Sequence, residues 1–154
     1  MENTAKNNAA LADEMVLENQ LCFPLYACAK ELVRRYAKPL GTIGLTYTQY
    51  LVMMVLWENG SLSESAIGEK LHLNSGTLTP LLKRLEKQGL LVRRREPGNE
   101  RRLILSLTRQ GEQLKTQAQA VPQAMHGCLG LPDSQLQQLK SLLNQALWNM
   151  EETV

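Results

Sequence analysis

The chain has 154 residues, 44% of them hydrophobic, and 17 basic against 15 acidic residues leave a net charge of +2. That is enough apolar material for one buried core. No run of about eighteen apolar residues offers a membrane span, and the opening MENTAKNNAALADEMVLEN lacks the basic-then-apolar order of a secretory signal. The expectation is therefore a single cytoplasmic domain over residues 1–154 that makes no membrane contact. In that compartment Cys22, Cys28 and Cys128 are not expected to form structural disulfides. No two of them have CxxC spacing, and His72 and His126 stand far apart, so neither a metal site nor a cofactor is expected.

Residues Met1 to about Asp13 are polar and expected to fray. From about Leu17 to Lys38 the spacing of Leu21, Leu25, Ala29, Leu32 and Val33 predicts a helix with one apolar side. Proline is tolerated in a first turn, where its missing N–H would bond nothing. Pro24 therefore favours a regular helix starting near Leu21, with Cys22 in its first turn; a longer, kinked helix is the alternative. Pro39 to Gly44 reads as a loop. Thr46-Tyr47-Thr48-Gln49 has the form of a capping box, opening a helix that closes at Asn59-Gly60.

A short amphipathic segment with Ala66, Ile67 and Leu71 then meets a turn at Leu73-Asn74-Ser75. The next helix carries Leu78, Leu81, Leu82 and Leu85 at i, i+3, i+4 and i+7, a single apolar stripe that Gly89 ends. Two extended runs follow, separated by the turn-forming Glu96-Pro97-Gly98-Asn99-Glu100. In the second, Leu103, Leu105 and Leu107 alternate with Arg102, Ile104 and Ser106, as in a half-buried strand. Helix, turn, helix and a basic hairpin is the plan of a winged helix-turn-helix, assigned to residues 45–108.

Charge supports that plan. Between Lys83 and Arg109 lie nine basic and three acidic residues, a net +6, while the rest of the chain carries −4. A basic patch on an otherwise acidic chain is an electrostatic footprint for phosphates, and here it follows a helix-turn-helix directly. Double-stranded DNA is the expected partner.

Thr108 is an expected N-cap for a helix from about Arg109 to Val121. Pro122 and then Gly127 to Pro132 interrupt the chain, and Asp133 or Ser134 caps a last helix. Its stripe is Leu136, Leu139, Leu143, Ala146, Leu147 and Met150. The fold class is thus mostly α with a small β wing. Segments 14–40 and 109–152 are more apolar than the winged region can cover, so they are expected to be dimerisation helices. A homodimer would also hold two reading helices about 34 Å apart, one duplex turn, on a pseudopalindrome.

These residues resemble the multiple-antibiotic-resistance regulator (MarR) family. LTYTQYLVMMVLWE, IGEKLHLNSGTLTPLLKRLEKQGL and LILSLTRQG carry the likeness. Within that family, LCFPLY around Cys22, with Tyr36 and Tyr47, is similar to the organic hydroperoxide resistance regulators (OhrR). The resemblance runs from about Leu17 to Trp148. It implies a homodimeric repressor, not an enzyme, that releases DNA when an organic hydroperoxide oxidises one cysteine.

By position, the resemblance makes Cys22 the sensing thiol and Cys128 the resolving one. It makes Tyr36 and Tyr47 the hydroxyls holding the thiolate from the other subunit. It also makes Arg101 the wing arginine of the minor groove, and sets Ser75, Gly76, Thr77 and Thr79 toward the major groove. Lys83, Arg84, Arg93, Arg94 and Arg95 complete the expected DNA contacts. Asn99 stands where the family usually has aspartate, and Pro24 where alanine is usual.

A thiol reacts with peroxide as its thiolate, and a helix N-terminus with two phenol donors would favour that charged form. Taken alone, Cys22 reads as a small buried hydrophobe; the matching tyrosines and flanking residues tip it to a sensor. Cys28, six residues on, points elsewhere and is expected in the core. Phe23, Tyr50, Met53, Met54 and Trp57 could line a peroxide pocket, though most are expected to be plain core. A MarR-type repressor gated by a reversible small ligand, with incidental cysteines, is the competing reading.

Overall fold

The computed structural model describes residues Met15–Glu152, apart from the side chains of Glu100 and Arg101. The fraying expected up to Asp13 and the expected role of the Arg101 side chain lie outside the described residues. A 3₁₀ turn at Leu17–Asn19 precedes α1 (Cys22–Gly41), α2 (Tyr47–Asn59), β1 (Ser61–Ser63) and α3 (Glu64–Leu71). Then come α4 (Ser75–Lys87), β2 (Leu91–Glu96), β3 (Asn99–Leu107), α5 (Arg109–Ala118), α6 (Ala120–Met125) and α7 (Asp133–Glu152). The backbone divides into two units, one ending at Ala124 and the other beginning at Met125.

In the first unit the core is built by α2, α3, α4 and the sheet. Val52, Met53, Leu56, Ile67, Leu82, Leu85 and Leu105 are fully buried. The expected stripe of α4 is the buried one: Leu78, Leu81, Leu82 and Leu85. The sheet is antiparallel in the order β1-β3-β2.

β1 was not expected. Three residues are too few for an alternation pattern, and the strand exists through pairing: Ser61 lies opposite Ser106, Leu62 opposite Leu105 and Ser63 opposite Ile104. The hydroxyls of Ser61 and Ser106 meet at 2.7 Å. The β2–β3 turn places Gly98 at φ 84, as the expected turn at Pro97-Gly98 requires.

The helix ends follow the expected chemistry in most places. Thr46 and Gln49 make the complete capping box. Ser63, Asn74 and Thr108 each accept a first-turn N–H at the start of α3, α4 and α5. At the end of α4 the Leu90 N–H reaches the Leu85 carbonyl and the Gly89 N–H reaches Glu86, a Schellman motif with Gly89 at φ 73.

α1 begins at Cys22, as Pro24 led us to expect, while three other boundaries differ. It runs on through Pro39 to Gly41, where a loop was expected. Proline's fixed φ suits a helix, so Pro39 forfeits only one backbone bond. Burial of Leu40 and a bond from Thr42 Oγ1 to the Pro39 carbonyl hold that last turn. The helix after Thr108 breaks at Gln119 because Pro122 has no N–H for the Ala118 carbonyl; Pro122 sits instead in the first turn of α6. The last helix starts at Asp133 itself, one residue earlier than a cap there would allow.

In the second unit, Gly127 and Gly130 adopt φ 73 and 65 on either side of Cys128. The Cys128 N–H reaches the Met125 carbonyl at 3.1 Å. α7 follows, and none of its residues is buried.

Candidate nucleic-acid interface and thiol site

The two helices of the helix-turn-helix are fixed by a tight corner. A Cβ at Gly68 would lie 2.8 Å from the Leu73 carbonyl oxygen, so only glycine lets the chain turn there. His72 takes the left-handed conformation, φ 52, to complete the turn. Thr79 Oγ1 then donates to the Glu64 carboxylate, which ties α4 to the start of α3. Thr79 is half-buried by this contact, so it positions the reading helix. Ser75, Gly76 and Thr77, by contrast, are exposed on its first turn, and Lys83 and Arg84 are exposed farther along.

The basic hairpin divides in the same way. Arg93 is bound to Glu86 of α4 through Nε and Nη2, at 2.8 and 2.7 Å, and its backbone N–H reaches the same carboxylate. These hydrogen bonds hold the Glu86 carboxyl below its usual range. Arg93 thus braces the wing root against α4. Arg94 and Arg95 are exposed on β2. Arg102 reaches Glu96 at 3.3 Å across the wing. Glu64 and Glu86, the carboxylates doing the bracing, were passed over in the sequence because each reads as an ordinary surface acid of an amphipathic helix.

Trp57, expected as core or pocket lining, also makes a polar link. Its Nε1 donates to the Gly111 carbonyl at 2.8 Å, joining α2 to the start of α5. Of the residues expected in the core, Tyr50 and Met53 are buried, Trp57 is half-buried, and Phe23 and Met54 are 43% and 45% exposed.

The thiol site is split. Cys22 is the first residue of α1 and is exposed; Leu21 before it supplies no side-chain cap. Its Sγ lies 3.7 Å from Gln20 Oε1. Tyr36 and Tyr47 come together, with ring centroids 4.8 Å apart, and Tyr36 also meets Tyr50 at 6.2 Å. Burial, with Tyr47 adding, pushes the Tyr50 hydroxyl above its usual range. The tyrosine pair is therefore assembled, but not on the thiol of its own chain. Cys22 and Tyr36 are fourteen residues apart on one continuous helix, about 21 Å at 1.5 Å per residue.

Cys28 corrects an expectation. It is exposed: α1 packs on α2 and leaves Leu25, Tyr26 and Val33 exposed around it. Cys128 is half-buried in its turn. Among the described residues no group of three His, Cys, Asp or Glu side chains could hold a metal, and no helix is long and apolar enough to cross a membrane.

The pattern of the MarR family matches residues 45–103, the stretch from α2 through most of the wing. The organic hydroperoxide resistance transcriptional regulator of Bacillus subtilis (strain 168) is 44% identical over 142 residues, 92% of this chain and 94% of that one. Among solved structures, that of reduced AbfR bound to DNA matches with a TM-score of 0.73 and 40% identity, covering 90% of this chain and 97% of that one. That of disulfide-formed AbfR matches with a TM-score of 0.61 and 36% identity, covering 96% and 99%; AbfR is a protein of Staphylococcus epidermidis. Whole-length identity of this order, on top of a winged helix-turn-helix with an exposed reading helix, settles the family: the chain belongs to the MarR family of DNA-binding transcriptional regulators and is of the organic hydroperoxide resistance type.

Proposed function

We propose that the protein is a peroxide-sensing repressor. As a homodimer it binds a pseudopalindromic operator, and it releases that DNA when an organic hydroperoxide oxidises Cys22. The observation that carries this reading is the split thiol site. Tyr36 and Tyr47 are paired with each other, yet about 21 Å of helix separates Tyr36 from the thiol of its own chain, so the pair can serve Cys22 only across a dimer.

The chemistry balances without a cofactor. The Cys22 thiolate attacks the terminal peroxide oxygen; the O–O bond breaks, the alkoxide leaves as alcohol after taking a proton, and Cys22 becomes sulfenic acid. The thiol of Cys128 from the partner chain then attacks that sulfur. A disulfide forms and water leaves. The relatives supply a precedent in kind, since AbfR has been solved both reduced on DNA and in a disulfide form.

On the DNA side, Ser75, Gly76 and Thr77 face bases, while Lys83, Arg84, Arg94, Arg95 and Arg101 meet phosphates or the minor groove. Arg93 and Thr79 keep the wing and the reading helix in place. α1 and α7 bring two such units together.

A gel shift on the DNA upstream of the protein's own gene tests the reading. The retarded band should vanish on adding an organic hydroperoxide, return with excess thiol, and persist under peroxide in Cys22→Ser. A wild-type complex indifferent to peroxide overturns it. One observation favours the competing ligand-gated reading: a largely apolar groove of 540 Å³ lined by Tyr50, Met54, Val55, Trp57, Ala118 and Pro122 among others. Release by an apolar acid in Cys22→Ser would establish that reading instead.

A further inference from the structure

We propose that the carboxamide of Gln20 takes part in the oxidation of Cys22, donating a hydrogen bond to the peroxide oxygen on which charge develops. This rests on the reading of Cys22 as the peroxide-sensing thiol. It adds a residue of the thiol's own chain to the two tyrosines that this reading takes from the partner.

Gln20 is placed by the backbone on both sides of it. Its N–H reaches the Leu17 carbonyl at 3.2 Å and closes the 3₁₀ turn. Gln20 itself is extended, with φ −90 and ψ 116, while Leu21 is already helical. One extended residue thus joins the turn to α1, and its side chain comes back to the first residue of that helix. Gln20 Oε1 accepts from the Cys22 thiol at 3.7 Å. From Met15 to Tyr26 every residue is exposed except Gln20, which is half-buried. A glutamine that served only to solvate the surface would be as open to water as its neighbours.

The carboxamide suits both states of the sulfur. It carries one acceptor oxygen and two N–H donors. Toward the thiol the oxygen is the matching group, and that is the bond present. Toward a thiolate, which has no proton to give, the nitrogen matches, and half a turn about the last side-chain bond exchanges the two.

The peroxide must come in along the same sulfur. Sγ bonds the terminal oxygen and the O–O bond breaks, with its electron pair passing to the other oxygen. Cys22 becomes sulfenic acid, and the departing oxygen takes a proton from water and leaves as the alcohol. Negative charge therefore moves from sulfur to the departing oxygen. An N–H lying beside the sulfur can follow it, so the bond strengthens as the barrier is crossed. Glutamine gives up no proton in this step; its part is the hydrogen bond alone.

The test separates oxidation from nucleophilicity. In the full-length chain carrying Cys28→Ser and Cys128→Ser, Cys22 is the one thiol left. Its rate of oxidation by cumene hydroperoxide, read by mass spectrometry as dimedone-trapped sulfenic acid, is set against its rate of alkylation by iodoacetamide. Departing iodide accepts hydrogen bonds poorly, so alkylation reports the thiolate without the proposed bond. Loss of one donor from an enclosed oxyanion site costs about 10²–10³-fold. At a thiol that water reaches, Gln20→Leu and Gln20→Met should each slow oxidation about tenfold. Both should alkylate within about twofold of the Gln20 parent. Equal losses in the two reactions would make Gln20 a support of the turn, and no change in either would make it a bystander; both results overturn the inference. A Gln20 parent whose Cys22 alkylates but is not oxidised by the hydroperoxide would sink the peroxide-sensing reading itself, whatever the variants do.

Discussion

At Gly111 a Cβ would lie 2.0 Å from the carbonyl oxygen of Leu90, which also accepts the Thr108 N–H at 3.1 Å. Neither is the end of a flexible side chain, so the backbone at the wing root would have to move. Gly111→Ala should cost about 1–3 kcal/mol, the usual penalty of overpacking, and urea titration reads it directly. Charge acts a few residues away. The Glu86 carboxyl is held below its unfolded value by Arg93. A depressed acid stabilises the fold above its unfolded pKa, about 4.3, and loses that contribution as pH falls through the folded value. Melting temperature should therefore drop in wild type below about pH 4.5 by a margin that Glu86→Gln lacks. Neither effect was legible in the sequence, because both depend on which backbone atom or guanidinium the fold brings alongside. What could be read at this scale was chemistry intrinsic to the residue: the threonine caps, the glycine stop at Gly89, and the reactive type of Cys22.

Elements were legible where their signal was local. The stripe of α4, the capping box of α2 and the strand alternation of β3 each occupy a few consecutive residues, and each appears in the structure where the pattern put it. β1 was not legible, because its evidence lies on β3, more than forty residues away. Pro39 misled for a related reason: the cost of a proline in a last helical turn is small, and burial of Leu40 outweighs it. The junction from β3 into α5 offers a test of how much one cap contributes. Thr108 Oγ1 accepts the Gly111 N–H at 3.0 Å and donates to the Gly89 carbonyl at 2.6 Å, joining the end of α4 to the start of α5. Thr108→Val keeps the shape and removes both bonds. It should destabilise by roughly 1–2 kcal/mol, at the upper end for a lost cap. A cost within error of zero in urea titration would mean that water replaces both bonds.

For the whole molecule, the terminal helices decide the outcome. Leu25, Tyr26 and Val33 on α1, and Leu143, Leu147 and Trp148 on α7, are all exposed in the single chain. Apolar surface left open on both helices is the mark of an association face. Leu143→Lys with Leu147→Lys should therefore convert a dimer to a monomer in sedimentation, where a merely solvated face would tolerate both charges. The same geometry constrains the redox step. A disulfide needs its two Cα atoms within about 7 Å, and Cys128 lies between two glycines in left-handed conformation. On non-reducing gels the peroxide-treated wild type should run as a covalent dimer, whereas Cys22→Ser and Cys128→Ser should run as monomers. Cys128→Ser should still be oxidised at Cys22 but drift to sulfinic and sulfonic acids, since no thiol captures the sulfenic acid. The exposure of Cys28 makes its variant the decisive control. A thiol buried in the core could not compete for the sulfenic acid, but an exposed one on the same helix as Cys22 can reach a partner chain. If the covalent dimer survives in Cys128→Ser and disappears in Cys28→Ser, the resolving thiol is Cys28, and the turn around Cys128 has no part in the switch.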